Sequence, residues 1–560
     1  MSNFEEIVVK WILAIGILVS LAVTPRYSLD PINVPKITIL ILSTFALVSF
    51  VLSNSNLRSS LLKNHWAFYS FLFFIAALLS ATFLTSGDNT QKIYGSFGRN
   101  TGLITYFCFA LIWILAISFY RLSNIRVFYF AFMLTGGIAF VYGHAQALGL
   151  DPVPWTNPYS PIIGFLGNPN FQSSFIGLFL IGNFAVALHF RRSKWVLSSC
   201  SLIILLGILQ ILRSNSIQGI FVCFSGLAFL ILVMFIKNRG SGHKALLRGY
   251  SFMMFLIGAI SIAGALNIGP LSKYLYQISV RQRGYYWDAA LQMLKFRPIS
   301  GVGMDSFGDW YLFFRSDQAA KNSPDIASSA AHNVFLDLAS GGGLFLLTAY
   351  VLIALLTLKS IYKQISRNPT FDPLFTGLSA IWIAFIIQST ISINQIGLAI
   401  WGWIISGIII GVEFHSRPSA VSVTDNSHTR NRNIAVKKGF QAQSVLAVTS
   451  GIALASIVIV PYFAADRNYY IAANSRDAGK LIKAASANPL VPDRTVMGAK
   501  LLADSSLPKQ SLELLNLAIK VNPRNFNAWQ LKYNLLDERS SEKTVANQMR
   551  NKLDPNLNYR

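Results

Sequence analysis

Apolar runs of about 18 residues or more, almost free of charge, recur from the N-terminus to beyond residue 460. Nothing else restricts the fold as strongly, because a helix of that length, rising about 1.5 Å per residue, crosses the hydrocarbon core of a bilayer. Length and hydropathy predict spans at about 7–24, 36–53, 66–84, 101–120, 127–147, 171–190, 195–212, 218–236, 249–266, 332–356, 374–392, 395–413 and 444–463. The expected fold class is therefore all-α: a polytopic integral membrane protein with about 13 transmembrane helices. Only 12% of the 560 residues are charged, against about a quarter in soluble proteins. An ordinary soluble enzyme is excluded.

The charge is lopsided, 47 Lys+Arg against 23 Asp+Glu for a net +24. In a soluble chain this would suggest nucleic acid, but here the position of the charge decides against it. With a cytoplasmic N-terminus, every even-numbered loop is basic: Arg58 and Lys63; Arg121 and Arg126; Arg191, Arg192 and Lys194; Lys237, Arg239, Lys244 and Arg248; Lys359, Lys363 and Arg367; then Arg417, Arg430, Arg432, Lys437 and Lys438. The intervening short loops are poor in Lys and Arg, so one orientation satisfies the positive-inside rule throughout. Glu5 and Glu6 replace the basic start of a signal peptide, and the first run reads as an uncleaved anchor. Cys108, Cys200 and Cys223 lie inside apolar runs and read as small core residues.

Two segments fall outside this pattern, both extracytoplasmic in the same orientation. One is a long loop at 267–331; the other is the tail after 464. The expected division is a membrane domain at 1–440, an additional transmembrane helix at 441–464 and an extracytoplasmic tail at 465–560. Asn488-Pro489, Asn522-Pro523 and Asp554-Pro555 recur at a period near 34 residues, with Leu481/Ala484 and Leu515/Ala518 at matching offsets. That period predicts a tetratricopeptide-like (TPR-like) module of about two helix pairs, offering a surface to a protein partner or acceptor rather than chemistry.

Polar residues gather on the outer face. Tyr94-Gly-Ser-Phe-Gly-Arg99-Asn-Thr-Gly102, Gly149-Leu-Asp-Pro-Val-Pro-Trp155 and Gly164-Phe-Leu-Gly167-Asn168-Pro-Asn170 each combine glycine turns with uncharged donors; taken singly they are turns at helix ends. The turn Arg213-Ser-Asn-Ser216-Ile217-Gln218 also faces outward. The long loop carries Arg281-Gln-Arg283 ahead of Trp287, Leu291 and Leu294, whose spacing predicts a short interfacial helix with its aromatic face in the bilayer. A guanidinium fork suits a diphosphate, although lipid headgroups would suit it too. Of seven histidines only His332, opening the tenth span, sits at the outer boundary beside that loop. Its neutral imidazole would accept a hydroxyl proton. Asp337, five residues on, points away from His332 on a regular helix and is not its orienter. No Walker-type loop, zinc-spaced His/Cys cluster or outer Asp-x-Asp appears.

In order, Gly98-Arg99-Asn-Thr-Gly102, Tyr142…Gln146-x-x-Gly149-Leu-Asp-Pro with Trp155, Gly167-Asn-Pro-Asn170, Arg283-x3-Trp287 with Pro298, Gly301 and Gly303, and His332-Asn333-x2-Leu336 resemble the O-antigen ligase/O-antigen polymerase superfamily over about residues 30–410. The resemblance implies a multi-helix, inverting, metal-independent glycosyltransferase without cofactor in the cytoplasmic (inner) membrane of a bacterium. It would move a glycan from an undecaprenyl-diphosphate donor to a lipid, glycan or protein hydroxyl on the outer face. Carried over, Arg283 grips the diphosphate and His332 activates the acceptor; Arg281, Arg99, Arg213, Asn168 and Asn170 are the further donor-binding candidates. The family's Ser-Arg pair is here Ser216-Ile217, leaving Arg213 or Gln218 as substitutes, or an altered activity. A ligase, a Wzy-type polymerase and a protein O-oligosaccharyltransferase stay open, as does a flippase, although charge collected at one face favours surface transfer over a path through the midplane.

Overall fold

The computed structural model describes residues 3–559 except 62, 154, 156, 158–159, 238–242, 271 and 418–441. Arg239, His428, Arg430, Arg432, Lys437 and Lys438 of the basic loops, and Pro154 of the outer motif, lie outside the described residues. All repetitive structure among the described residues is helical. The first part runs through α1 (Asn3–Leu21), α2 (Asn33–Ser53), the short α3 (Ser55–Ser60), α4 (His65–Phe83), the short α5 (Asn89–Tyr94), α6 (Leu103–Phe119), α7 (Ile125–Ala147), α8 (Pro169–His189), α9 (Lys194–Arg213), α10 (Gln218–Lys237) and α11 (His243–Ala265). The long loop folds into α12 (Ser272–Leu275), α13 (Ile278–Phe296), α14 (Phe307–Phe314) and α15 (Asp317–Asn322). Then come α16 (Val334–Arg367), α17 (Pro373–Ser389), α18 (Ile396–His415) and α19 (Ala442–Asn474).

Among the described residues ten helices are long and apolar enough to cross a membrane: α2, α4, α7 to α11, α16, α18 and α19. The remaining expected spans are helices too, but α1 carries Glu5, Glu6 and Lys10, and α6 and α17 have only 17 residues each. At the centre stands α18, buried along its whole length, with Gly407 and Gly411 against backbone carbonyls of α6. Small residues let these two backbones approach, which is how helices associate where lipid removes the hydrophobic drive. The basic loops converge on one end: Arg121 reaches Glu5 (3.4 Å), Arg367 reaches Glu413 (3.1 Å) and Lys237 donates to the Asn368 carbonyl (2.7 Å).

At the opposite end α16 is broken. Gly343 has φ 66° and ψ −168°, dividing the 34-residue helix into a short first piece and a long second one. The loop segment after α13 occupies the break: Val302 and Gly303 donate to the Ser340 and Gly341 carbonyls (2.8 and 3.0 Å), and Leu344 donates to the Pro298 carbonyl (2.7 Å). A Cβ on Gly301 would collide with the Gly341 backbone, and one on Gly343 with the Ile299 carbonyl, which is why glycine stands on both sides.

The tail is helical throughout: α20 (Ala478–Ala485), α21 (Pro492–Asp504), α22 (Pro508–Val521), α23 (Phe526–Leu535) and α24 (Ser541–Leu553). Helix α21 packs on α22 and α23 on α24, and α22 and α24 end just before Asn522-Pro523 and Asp554-Pro555.

Candidate functional site

His332 does not open the tenth helix as expected from the sequence. Asn333 is the N-cap, its Oδ1 accepting from the Phe335 and Leu336 amides, and His332 precedes it in the left-handed region at φ 54°. That turn aims the imidazole at α13, where it stacks on Tyr286 with centroids 5.4 Å apart and planes at 28°. One helical turn before Tyr286 is Arg283, whose Nε donates to the Ile391 carbonyl (3.1 Å) and whose Nη1 donates to the Ser279 carbonyl (3.2 Å). Arg99, from the turn between α5 and α6, donates from Nη1 to the Ser329 carbonyl (2.6 Å) and stands 4.0 Å from Asp337. Asp337 accepts from the Ala331 amide (2.6 Å), so it braces the turn before His332 without orienting the imidazole.

The electrostatics bear this grouping out. Burial, then Arg99 and Arg283, hold His332 down to about 4, well below an ordinary imidazole. Burial also lowers the Arg283 guanidinium. Among the described residues, Arg99 Nε, Arg281 Nε and Trp287 Nε1 are buried donor atoms with no hydrogen-bond partner. Arg99 also lines a small pocket of about 20 Å³ with Thr101, Tyr106, Asp305, Asp337 and Asn394. A second, apolar pocket of about 20 Å³ lies between α16, α17 and α18, beside Tyr350, Trp382, Phe385 and Trp403. Tyr106 links the two, with its ring 6.4 Å from Trp403 and its hydroxyl accepting from Asn394 Nδ2 (2.6 Å).

Asp305 is the organising residue that the sequence alone does not single out. Its Oδ2 accepts from the Ser96 amide (2.8 Å), Ser96 Oγ (3.3 Å) and Thr101 Oγ1 (3.1 Å), tying the arginine turn to the long loop. In α13 the Trp287, Leu291 and Leu294 side expected to face the bilayer is exposed or half-exposed, and a second stripe packs against the protein. The helix has 19 residues, and Tyr286, Ala289, Ala290 and Met293 are the buried stripe, while Leu291 is exposed.

Arg213, Asn168 and Asn170 belong to a second group. Asn168 caps α8 by accepting from the Asn170 amide (2.8 Å), and Asn170 Oδ1 accepts from Ser216 Oγ (2.8 Å). Arg213 is exposed at the end of α9, close enough to His144 to act on it electrostatically; Ile217 is exposed and Gln218 buried. The Tyr142…Trp155 motif is a brace for the same end of α7: Tyr142 Oη and Gln146 Nε2 donate to Asp151 (2.8–3.1 Å), and Trp155 Nε1 donates to Tyr142 Oη (2.8 Å).

The chain has no match among curated proteins. Residues 172–351 match the family model described as O-antigen ligase, so the stretch from α8 into α16, with Arg213, Arg283 and His332 inside it, is similar to the O-antigen ligases and supports a role in glycan transfer at a membrane.

Proposed function

We propose that the protein transfers a glycan from a polyprenyl-diphosphate carrier to an acceptor hydroxyl at the outer face of the cytoplasmic membrane. The observation that carries this reading is that Arg99, bound to the turn just before His332, and Arg283, one helical turn before the ring on which His332 stacks, come from distant parts of the sequence to one half-buried histidine. Two guanidiniums with no carboxylate salt bridge closer than 4.0 Å among the described residues call for a ligand of high negative charge. A diphosphate supplies it. As the glycosidic bond to the diphosphate breaks, charge grows on the leaving oxygens, where fixed cations stabilise it most. His332 takes the acceptor proton as the hydroxyl attacks the anomeric carbon from the opposite side, which inverts the linkage. The anionic donor also offsets the two arginines, so the imidazole becomes a stronger base once the donor is in place.

The test is transfer from purified lipid-linked glycan in nanodiscs, with insertion checked for each variant. His332→Ala should retain donor binding and lose about two to four orders of magnitude in turnover. Arg283→Ala should lose donor affinity, and Arg283→Lys should restore little, because a point charge does not reproduce a bidentate fork. Wild-type turnover in His332→Ala removes the base; unchanged donor affinity in Arg283→Ala removes the clamp. Deletion in the native host, read by which glycan is lost and whether carrier-linked precursor accumulates, assigns lipid, polymer or protein as acceptor.

A further inference from the structure

The tail does not stand apart as a surface for partners. Residues after α18 hold both arginine-bearing segments. On the membrane side, Asn100, next to Arg99 and itself at φ 56°, donates from Nδ2 to Tyr462 Oη of α19 (2.6 Å). Tyr94 stacks on the same Tyr462 ring (4.5 Å, 13°) and donates to the Val458 carbonyl (2.8 Å). The turn that presents Arg99 is thus fastened at two points to α19.

On the outer side the end of the chain clasps α14. Arg315, which closes α14, donates from Nη2 to both oxygens of Asp554 (2.9 and 3.1 Å), and both side chains are wholly buried. The Arg524 guanidinium lies 3.4 Å from the Trp310 ring centroid and donates to the Asp309 carbonyl (3.1 Å). Asn556 donates to the Arg315 carbonyl (3.2 Å). In turn α14 backs α13 through Tyr311 on Tyr286 (5.4 Å), and Tyr286 is the ring on which His332 stacks. Tyr286, Tyr311, Phe526, Trp529 and Leu553 share one apolar cluster, distinct from the large core of the membrane bundle.

We propose that the C-terminal helices are a positioning element for the donor site, with Asp554, Arg524 and Tyr462 as positioning residues that set Arg99, Arg283 and Tyr286 against His332. The assignment rests on the transfer reading for its kinetic consequence and on packing alone for its structural one. A buried ion pair adds little net stability but resists any other arrangement of the groups it joins, which suits a part whose task is register. A displacement of about 1 Å at a reacting centre costs up to about a hundredfold in rate.

The experiment uses the full chain in nanodiscs and reads hydrogen exchange beside transfer kinetics. Asp554→Ala and Arg524→Ala should raise exchange in peptides from 278–315, leave α8 and α17 as in wild type, raise the donor KM and lower kcat/KM about tenfold or more. The charge swap Arg315→Asp with Asp554→Arg should recover part of the protection, and Arg524→Lys part of the activity. A structural role alone would reduce the amount of active protein and leave the KM of the remainder unchanged. The proposal is overturned if Asp554→Ala and Arg524→Ala loosen residues 541–557 while 278–296 stays protected and the donor KM is unmoved. If the wild-type protein transfers no glycan, the transfer reading falls by itself, and the exchange result still decides whether the tail positions α13.

Discussion

Desolvation, then the charges of Arg99 and Arg283, disfavour the charged form of the half-buried His332 and hold it down to about 4. The acid limb of kcat/KM, which reports the free enzyme, should therefore lie near pH 4 and not near the usual imidazole value of about 6.5. In Arg99→Ala one of the two cations is gone, and that limb should move upward; a pH–rate profile of the two proteins checks it. The same shift has a stability side. Since the folded pKa is depressed, the contribution is full above about 6.5 and is lost as pH falls through about 4. In the sequence, Arg99, Arg283 and His332 were legible because charge is rare in this chain and each sits at an apolar boundary. Asp305 and Tyr286 were not: one acts through contacts to Ser96 and Thr101 some two hundred residues away, the other through a stacking geometry set by the φ of 54° at His332.

The broken helix α16 is the element on which the outer end is assembled. At Gly343 the backbone is left-handed and a Cβ has no room beside the Ile299 carbonyl. Gly343→Ala should cost about 1–3 kcal/mol or more, read as a lower melting point of the detergent-solubilised protein. Gly137 of α7, also helical, has nothing within 4 Å of where its Cβ would be. Gly137→Ala should be neutral or stabilise by up to about 1 kcal/mol. Hydropathy found the helices well because an unpaired backbone amide is intolerable in lipid, so every crossing segment must be both helical and apolar. It could not find the break, since three successive glycines signal only that a helix is weak and not what packs into it. Spacing likewise gave α13 and its outward stripe of Trp287, Leu291 and Leu294, but not the protein-packed stripe of Tyr286, Ala289, Ala290 and Met293. Both stripes of that helix are apolar, and only the neighbours decide between them.

At the scale of the whole molecule, membrane bundle, loop and tail meet at three carboxylates, Asp88 buried and Asp309 and Asp493 half-buried. Burial raises Asp309 to about 7 and Asp88 to about 6, and raises Asp493 also; repulsion from Asp493 adds to the first two, and Arg524 opposes it at Asp309. Asn522 donates to Asp309 (3.1 Å) and Asn525 to Asp493 (2.9 Å). A folded pKa above the unfolded value means that the folded state binds protons more tightly. The junction is therefore fully stable below about pH 4 and loses stability as pH rises through about 6 to 7. Exchange protection of 305–315 and 522–526 should fall over that window, and Asp309→Asn should flatten the fall. The helical character of the tail was readable from the sequence, but its docking was not, because Arg315 and Asp554 carry no local signal of being partners. The break in α16 also has a consequence for how the protein is made. Its exposed carbonyls at Ser340 and Gly341 are satisfied by amides of Val302 and Gly303, which leave the ribosome first. If the loop is held back on the wrong side of the bilayer, those carbonyls find no partner in hydrocarbon and the first piece of α16 cannot settle. Seating of the first piece of α16 is thereby tied to the loop reaching the same side of the bilayer as that piece.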